Sequence, residues 1–163
     1  MSKVVVIGGG AWGCALGSAV TEKNAPAFIL TSNSDRASEI NNGKSSRFKD
    51  SSLELNLKAG INPENILRDS SIVILATEVN RSLNFINEIK GFANKNCTVL
   101  VASKGFGANG EVIPKILQEK LQTDKIGVIS GPSFAYEVIK KKPTALVIAG
   151  NKDTIKLTTD LFH

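Results

Sequence analysis

Four β-branched residues, Val4-Val5-Val6-Ile7, run without a polar interruption into Gly8-Gly9-Gly10-Ala11-Trp12-Gly13. A short, continuous apolar run of this kind reads as a strand buried on both faces, the situation of a parallel sheet. Behind the glycines, Trp12, Ala15, Leu16, Ala19 and Val20 recur at helical spacing and make one apolar stripe. Strand, tight glycine turn and amphipathic helix in this order set the first βα unit of an α/β sheet. The turn matches G-x-G-x-x-G, and its context gives the match its weight. Gly8 takes the tight turn, Gly10 leaves the backbone bare where a pyrophosphate would approach, and Gly13 lets the helix lie close to the strand. The amides that open the helix lack intrahelical partners and face that diphosphate, assisted by the helix dipole. A glycine turn used only for packing is the competing reading, and the strand–turn–helix context favours the nucleotide.

The rest of the chain repeats the alternation. Strands are predicted at Ala27–Thr31, Ile72–Ala76, Thr98–Ala102 and Ile126–Ile129, with a strand-like Ala145–Ile148. Helices are predicted at Arg36–Asn42, Arg81–Ala93, Glu111–Leu121, Ser133–Lys141 and Thr154–Phe162. Gly43–Ser52 is polar and loop-like, Leu53–Ala59 alternates as an edge strand would, and Asn62-Pro63 starts a turn or short helix. Such alternation predicts a Rossmann-type, doubly wound, mostly parallel sheet with helices on both faces. No repeat or linker divides the chain, so residues 1–163 are expected to form one NAD(P)-binding domain. The last helix has no stop signal, which suggests that the natural chain continues past His163.

Composition narrows the function classes. The 163 residues are 42% hydrophobic and 21% charged, the balance of a soluble globular domain. No apolar run approaches the ~18–20 residues that span a bilayer, so no stable membrane insertion is expected. The net charge of +5 suits anionic partners, but the basic residues are scattered apart from Lys140-Lys141-Lys142. With one Tyr and one Trp there is little to stack on bases, so the expectation is a solvated basic surface with no nucleic-acid partner. Two cysteines, Cys14 and Cys97, make neither a disulfide framework nor a metal site, and a reducing, cytoplasmic location is the default. Cys14 lies near a helix start and reads as inert packing, although a helix dipole there lowers a thiol pKa.

Three segments at predicted strand ends carry candidate binding residues, because open α/β sheets bind ligands there. After the second strand comes Thr31-Ser32-Asn33-Ser34-Asp35-Arg36. A carboxylate at that strand end would bind two ribose hydroxyls and repel a 2′-phosphate. Here neutral Ser32 and Asn33 come first, both able to donate to a phosphate, and Arg36 follows. NADPH is therefore expected to be accepted at least as well as NADH, while Ser32 or Asn33 serving only as a helix cap stays open. Lys104, past the end of the Val99–Ala102 strand, can meet an anionic or carbonyl oxygen as a point charge, or else it is a loop lysine in solvent. In Ser130-Gly131-Pro132-Ser133, Gly131 exposes backbone and Ser133 offers a hydroxyl at a new helix start, with an ordinary cap as the plain alternative.

Taken together, GGGAWGCAL (Gly8–Leu16), ASKGF (Ala102–Phe106), SGPSFAYEV (Ser130–Val138) and KPTALVIA (Lys142–Ala149) closely resemble the NAD(P)-dependent glycerol-3-phosphate dehydrogenases. The order and spacing hold across essentially the whole chain, and GPSFAYE is far more specific than the glycine fingerprint. The resemblance implies the family's N-terminal, coenzyme-binding half. The family reduces dihydroxyacetone phosphate to sn-glycerol 3-phosphate with NAD(P)H, feeding glycerophospholipid synthesis. It implies coenzyme contacts at Gly8, Gly10, Ala11, Trp12, Gly13, Lys104 and Ala135, and substrate contacts at Lys104, Gly131 and Ser133. Glu137 matches the motif glutamate. The general-acid lysine and the substrate-phosphate ligands belong to a helical C-terminal domain, expected beyond His163, so no residue of this chain is expected to be the acid. The isolated chain should bind dinucleotide without substantial turnover, and a homodimer of the full-length enzyme is compatible with the family.

Some positions depart from the family's pattern. Glu78, in Ala76-Thr77-Glu78-Val79-Asn80, stands where a proline is usual, and brings a negative charge toward the nicotinamide. Phe48-Lys49-Asp50 is a reduced form of a Tyr-Leu-Pro-type segment, and Cys14 replaces a small hydroxylated residue. These departures keep two alternatives open: a non-catalytic dinucleotide-binding regulatory module, and a related dehydrogenase acting on a different hydroxy acid.

Overall fold

The computed structural model describes residues 3–23, 25–107 and 110–163. Seven strands form one sheet in the order β3-β2-β1-β4-β5-β6-β7. They are β1 (Val4–Ile7), β2 (Ala27–Leu30), β3 (Lys58–Gly60), β4 (Ile72–Leu75), β5 (Thr98–Val101), β6 (Ile126–Ser130) and β7 (Val147–Ala149). Every pairing is parallel except that of β6 with β7. The chain winds outward from β1 to β3, returns to β4 on the other side of β1, and then winds the opposite way. That reversal leaves a crevice at the carboxyl ends of β1 and β4.

The four central residues of β1 explain why both faces are covered. Val4 and Val6 join one core, and Val5 and Ile7 join the other. All four are essentially inaccessible to solvent. Alternate residues of β4 divide in the same way, Ile72 and Ile74 against Val73 and Leu75. On the first face pack α1 (Ala11–Glu22), α2 (Ser34–Asn41), α7 (Ala135–Ile139) and α8 (Lys152–Phe162). On the second lie α3 (Pro63–Leu67), α4 (Val79–Asn84), α5 (Ile86–Phe92) and α6 (Ile113–Leu121). Each fully buried aliphatic side chain in these layers contributes about 1.5–3 kcal/mol of transfer free energy.

The doubly wound architecture agrees with the sequence expectation, and several local assignments need correction. The predicted helix Arg81–Ala93 starts earlier, at Val79, and is two helices that meet at Phe85. Of the predicted edge strand Leu53–Ala59 only Lys58 and Ala59 pair, and with Gly60 just beyond it they run in register with Phe28–Leu30. Leu53 and Leu57 are nevertheless buried, whereas Leu55 between them is exposed, so the alternation marks neither pairing nor one continuous buried face. The last strand is Val147–Ala149 and antiparallel, a relation that alternation alone does not distinguish.

The lysine run also differs from a freely solvated surface. Lys141 adopts φ +54° and pairs with Glu22 at 2.9 Å and Glu54 at 3.2 Å. Lys140 donates to the Asp50 carbonyl at 2.9 Å and lies over the Tyr136 ring. Two of the three lysines thus tie α7 to α1 and to the loop before β3. Among the described residues, no helix is long and apolar enough to cross a membrane. Nor does any group of three or more His, Cys, Asp or Glu gather as a metal site among them.

Candidate functional site

The turn after β1 is assembled from three glycines with three different constraints. Gly8 sits at φ +122°, and a Cβ there would lie 2.7 Å from the Ala76 carbonyl oxygen. Its N–H donates to the Leu30 carbonyl at 2.9 Å, continuing the β1–β2 ladder. A Cβ on Gly13 would fall 1.9 Å from the Gly8 carbonyl oxygen, so helix and turn meet backbone to backbone. Gly10 is the reverse case. It is the N-cap of α1, with φ −78° and ψ −179°, and nothing lies within 4 Å of an added Cβ. No side chain caps α1, and its first turn holds no acidic residue, so its opening amides face open space without a neutralising partner.

That space belongs to a cleft of about 520 Å³ whose lining includes Gly8, Gly10, Ala11, Trp12, Ser32 and Arg36. The residues from the end of β2 separate here. Ser32 and Arg36 face the cleft, whereas Asn33 is absent from its lining. The Asn33 side-chain oxygen accepts the Arg36 N–H at 2.8 Å and caps α2. Arg36 carries no ion pair among the described residues. Its aliphatic stem lies against Gly9, where a Cβ would come within 2.9 Å of Arg36 Cδ. Gly9, the unassigned position of the fingerprint, therefore gives room to the arginine.

A second cleft, of about 370 Å³, brings Lys104, Ser133 and Ala135 to the same place. It shares Ala11, Trp12, Ala76, Thr77 and Glu78 with the first, so the two are continuous across the ends of β1 and β4. A partly buried hydroxyl pair holds the loops that form it. Ser82 Oγ and Ser103 Oγ are 2.8 Å apart; Ser103 donates to the Leu75 carbonyl at 3.1 Å, which leaves Ser82 to donate to Ser103, with the Thr77 carbonyl 3.4 Å away as its alternative acceptor. Lys104 follows this latch directly. Ser133 Oγ donates at 2.6 Å to the Ala145 carbonyl, which leaves its lone pairs for any further partner. Gly131 is outside the lining of either cleft. It takes φ +143°, and a Cβ would lie 2.7 Å from that same Ala145 oxygen. The Glu137 carboxylate accepts the Phe134 N–H at 3.1 Å and holds the start of α7.

Sequence reasoning missed Thr77, Arg81, Asn84 and Phe85, all of which line the first cleft. Their signal was weak because Thr77 lies in a turn with no motif of its own, and Arg81, Asn84 and Phe85 lie on α4 and at its break, which no Gly or Pro marks.

Cys14 shows burial overruling the dipole expectation. Its thiol donates to the Gly9 carbonyl at 3.7 Å, and desolvation pushes its pKa up to about 11. Burial pushes Cys97 up to about 12. Unfolded thiols ionise near their ordinary value, so stability from both is intact below roughly pH 9 and falls as pH rises through the folded values. The expected slope is about 1.4 kcal/mol per pH unit per thiol. Urea titrations from neutral to alkaline pH should show it, and Cys14→Ala should flatten it. An unchanged slope in that variant would contradict the assignment.

A glycine turn at a topological switch point, facing an open double cleft, defines a Rossmann-type domain of the doubly wound class. Comparison with known proteins narrows this. The family described as NAD-dependent glycerol-3-phosphate dehydrogenase N-terminus matches residues 3–156, and the chain belongs to that family. A protein of Sulfurimonas denitrificans named glycerol-3-phosphate dehydrogenase (NAD(P)+) is 38% identical over 149 residues, covering 91% of this chain and 42% of the relative. The protein of the same name from Neisseria meningitidis is 31% identical over 151 residues, covering 90% and 46%. This chain thus spans less than half the length of either relative. The crystal structure of glycerol-3-phosphate dehydrogenase from Coxiella burnetii superposes with a TM-score of 0.88 at 20% identity, covering 99% of this chain and 51% of that one. At that identity the likeness speaks for the fold.

Proposed function

We propose that the chain is the coenzyme-binding half of a glycerol-3-phosphate dehydrogenase, which interconverts dihydroxyacetone phosphate and sn-glycerol 3-phosphate with NAD(P)H. The observation that carries this reading is the open space at Gly10, directly before the uncapped amides of α1 and inside the continuous double cleft. The residues fit a dinucleotide. The amides of Ala11, Trp12 and Gly13 suit its pyrophosphate, Ser32 and Arg36 suit the adenosine ribose and a 2′-phosphate, and Ala135 lines the far cleft.

When bound, the coenzyme supplies the hydride chemistry. The protein's part in this half is to hold and orient. Lys104, one residue past the Ser82–Ser103 latch, offers a fixed positive charge toward an anionic or carbonyl oxygen of the substrate. Ser133 can accept there, while its proton is engaged by Ala145. Gly131 acts on this site through the backbone that its left-handed turn shapes. The general acid and the substrate-phosphate ligands belong to the family's helical half, which also carries the larger share of a homodimer interface, and the buried thiols suit a reducing cytoplasm.

Ser32 stands where a carboxylate would, and Arg36 beside it makes no ion pair among the described residues, so NADPH binds no more weakly than NADH. Titrating the 163-residue chain with each reduced coenzyme, followed by nicotinamide fluorescence, tests the reading. Binding of both in the micromolar range is expected. Absence of binding overturns the function, and a tenfold preference for NADH overturns the account of Ser32 and Arg36.

A further inference from the structure

We propose that Glu78 makes the cleft discriminate the redox state of its coenzyme, favouring the oxidised, cationic nicotinamide ring over the neutral reduced one. The inference rests on the dinucleotide reading above and adds a role for a residue which that reading leaves unused.

Glu78 is the N-cap of α4, in the turn that leaves β4, yet its side chain makes no capping hydrogen bond. It pairs with no cation among the described residues. It is exposed, and it lines both clefts at their junction. The other charged side chains on these walls are Arg36 and Arg81 in the first cleft and Lys104 in the second. Glu78 is thus the one carboxylate among the residues that line them.

Topology decides what it faces. A pyrophosphate at the start of α1 divides the dinucleotide in two. The adenosine ribose goes to the end of β2, where Ser32 and Arg36 stand. The other nucleoside must then lie on the β4–β5 side, at the junction that Glu78 and Lys104 share. Oxidised and reduced coenzymes carry the same phosphates and differ by one positive charge, which resides on the nicotinamide ring. A carboxylate beside the ring therefore acts with opposite sign to Lys104 on that one difference, while its repulsion of the phosphates cancels between the two forms. For one partly solvated pair the effect is about threefold in relative affinity, and salt reduces it.

Calorimetric titration of the chain and its Glu78→Gln variant with NAD+, NADH and ADP-ribose tests the proposal, ADP-ribose being the same ligand without the ring. In E78Q the ratio of the NAD+ Kd to the NADH Kd should rise about threefold, while ADP-ribose and NADH, which share only the relieved repulsion of the phosphates, should shift together. In the wild-type chain the same ratio should rise with ionic strength, a measurement that needs no variant. A ratio insensitive to both charge removal and salt, with ADP-ribose still bound, overturns the Glu78 proposal alone. Failure of all three ligands to bind the wild-type chain overturns the dinucleotide reading and this proposal together.

Discussion

Gly13→Ala should lower the stability of the domain by about 3 kcal/mol or more, one of the largest effects of any single methyl group in the chain. The backbone of Gly13 is helical, so the penalty owes nothing to φ. It comes from a Cβ placed 1.9 Å from the Gly8 carbonyl oxygen, with Val6 Cγ1 a further 3.4 Å neighbour. The Gly8 carbonyl is backbone and cannot swing away as a side chain could. Gly8 is itself held between the Leu30 carbonyl, which its N–H reaches at 2.9 Å, and the backbone of Ala76. Relief therefore requires α1 to move off β1, and α1 carries Cys14, Leu16 and Val20 of the first core. Urea unfolding followed by circular dichroism measures the loss, and a midpoint within about 1 kcal/mol of wild type would show that helix and turn separate easily.

Much of the architecture was readable because two physical signals coincide in this chain. Runs such as Val4–Ile7 and Ile72–Leu75 lack polar alternation, and only a sheet covered on both faces buries residues of both parities. Helix stripes between them then leave little choice but parallel winding. The signal failed where burial and pairing part company. Leu53 and Leu57 are buried from an unpaired loop while Leu55 between them is exposed, so three leucines at alternate positions mimicked an edge strand that does not form there. It failed again at Phe85, where apolar Leu83, Phe85, Ile86 and Ile89 read as one helical stripe but Leu83 belongs to one short helix, Phe85 is the junction, and Ile86 and Ile89 belong to the next. The antiparallel direction of β7 depends on the chain leaving β6 at Gly131 and turning back after α7 at Lys141, both at positive φ.

The site was legible at its glycines and less so around them. Gly8, Gly10 and Gly13 each have the constraint that the fingerprint assigns, because a missing Cβ is a property of the residue itself. Side chains are different, since their partners come from distant sequence. Asn33 looked equally able to meet a phosphate or cap a helix, and its oxygen is committed to the Arg36 N–H. Ser133 donates to Ala145, twelve residues away, and Ser82 meets Ser103 across two strand ends. Nothing local in the sequence announces either contact. Cys14 is a case of magnitude: its position at a helix start favours the thiolate, but complete burial disfavours it more strongly, and the net direction is upward.

Gly10→Val should separate binding from folding. The position has φ −78° and ψ −179°, which valine adopts without strain, and no atom within 4 Å opposes the new Cβ. Stability should therefore change by no more than about 1 kcal/mol, the scale of losing a glycine at an N-cap. Affinity should respond quite differently. The isopropyl group would occupy the space in front of the α1 amides and push a pyrophosphate out of their reach, costing at least two charge-assisted hydrogen bonds of about 1.5–3 kcal/mol each. NADPH and NADH should both bind at least ~100-fold more weakly, since the obstruction lies at the phosphates they share. Fluorescence titration alongside a urea curve reads both quantities on one preparation. A variant that is stable and still binds with wild-type affinity would mean that the coenzyme does not rest on this turn. Loss of binding with an unchanged unfolding midpoint is the signature of a ligand seated on bare backbone, because the fold itself has no use for the space that Gly10 keeps free.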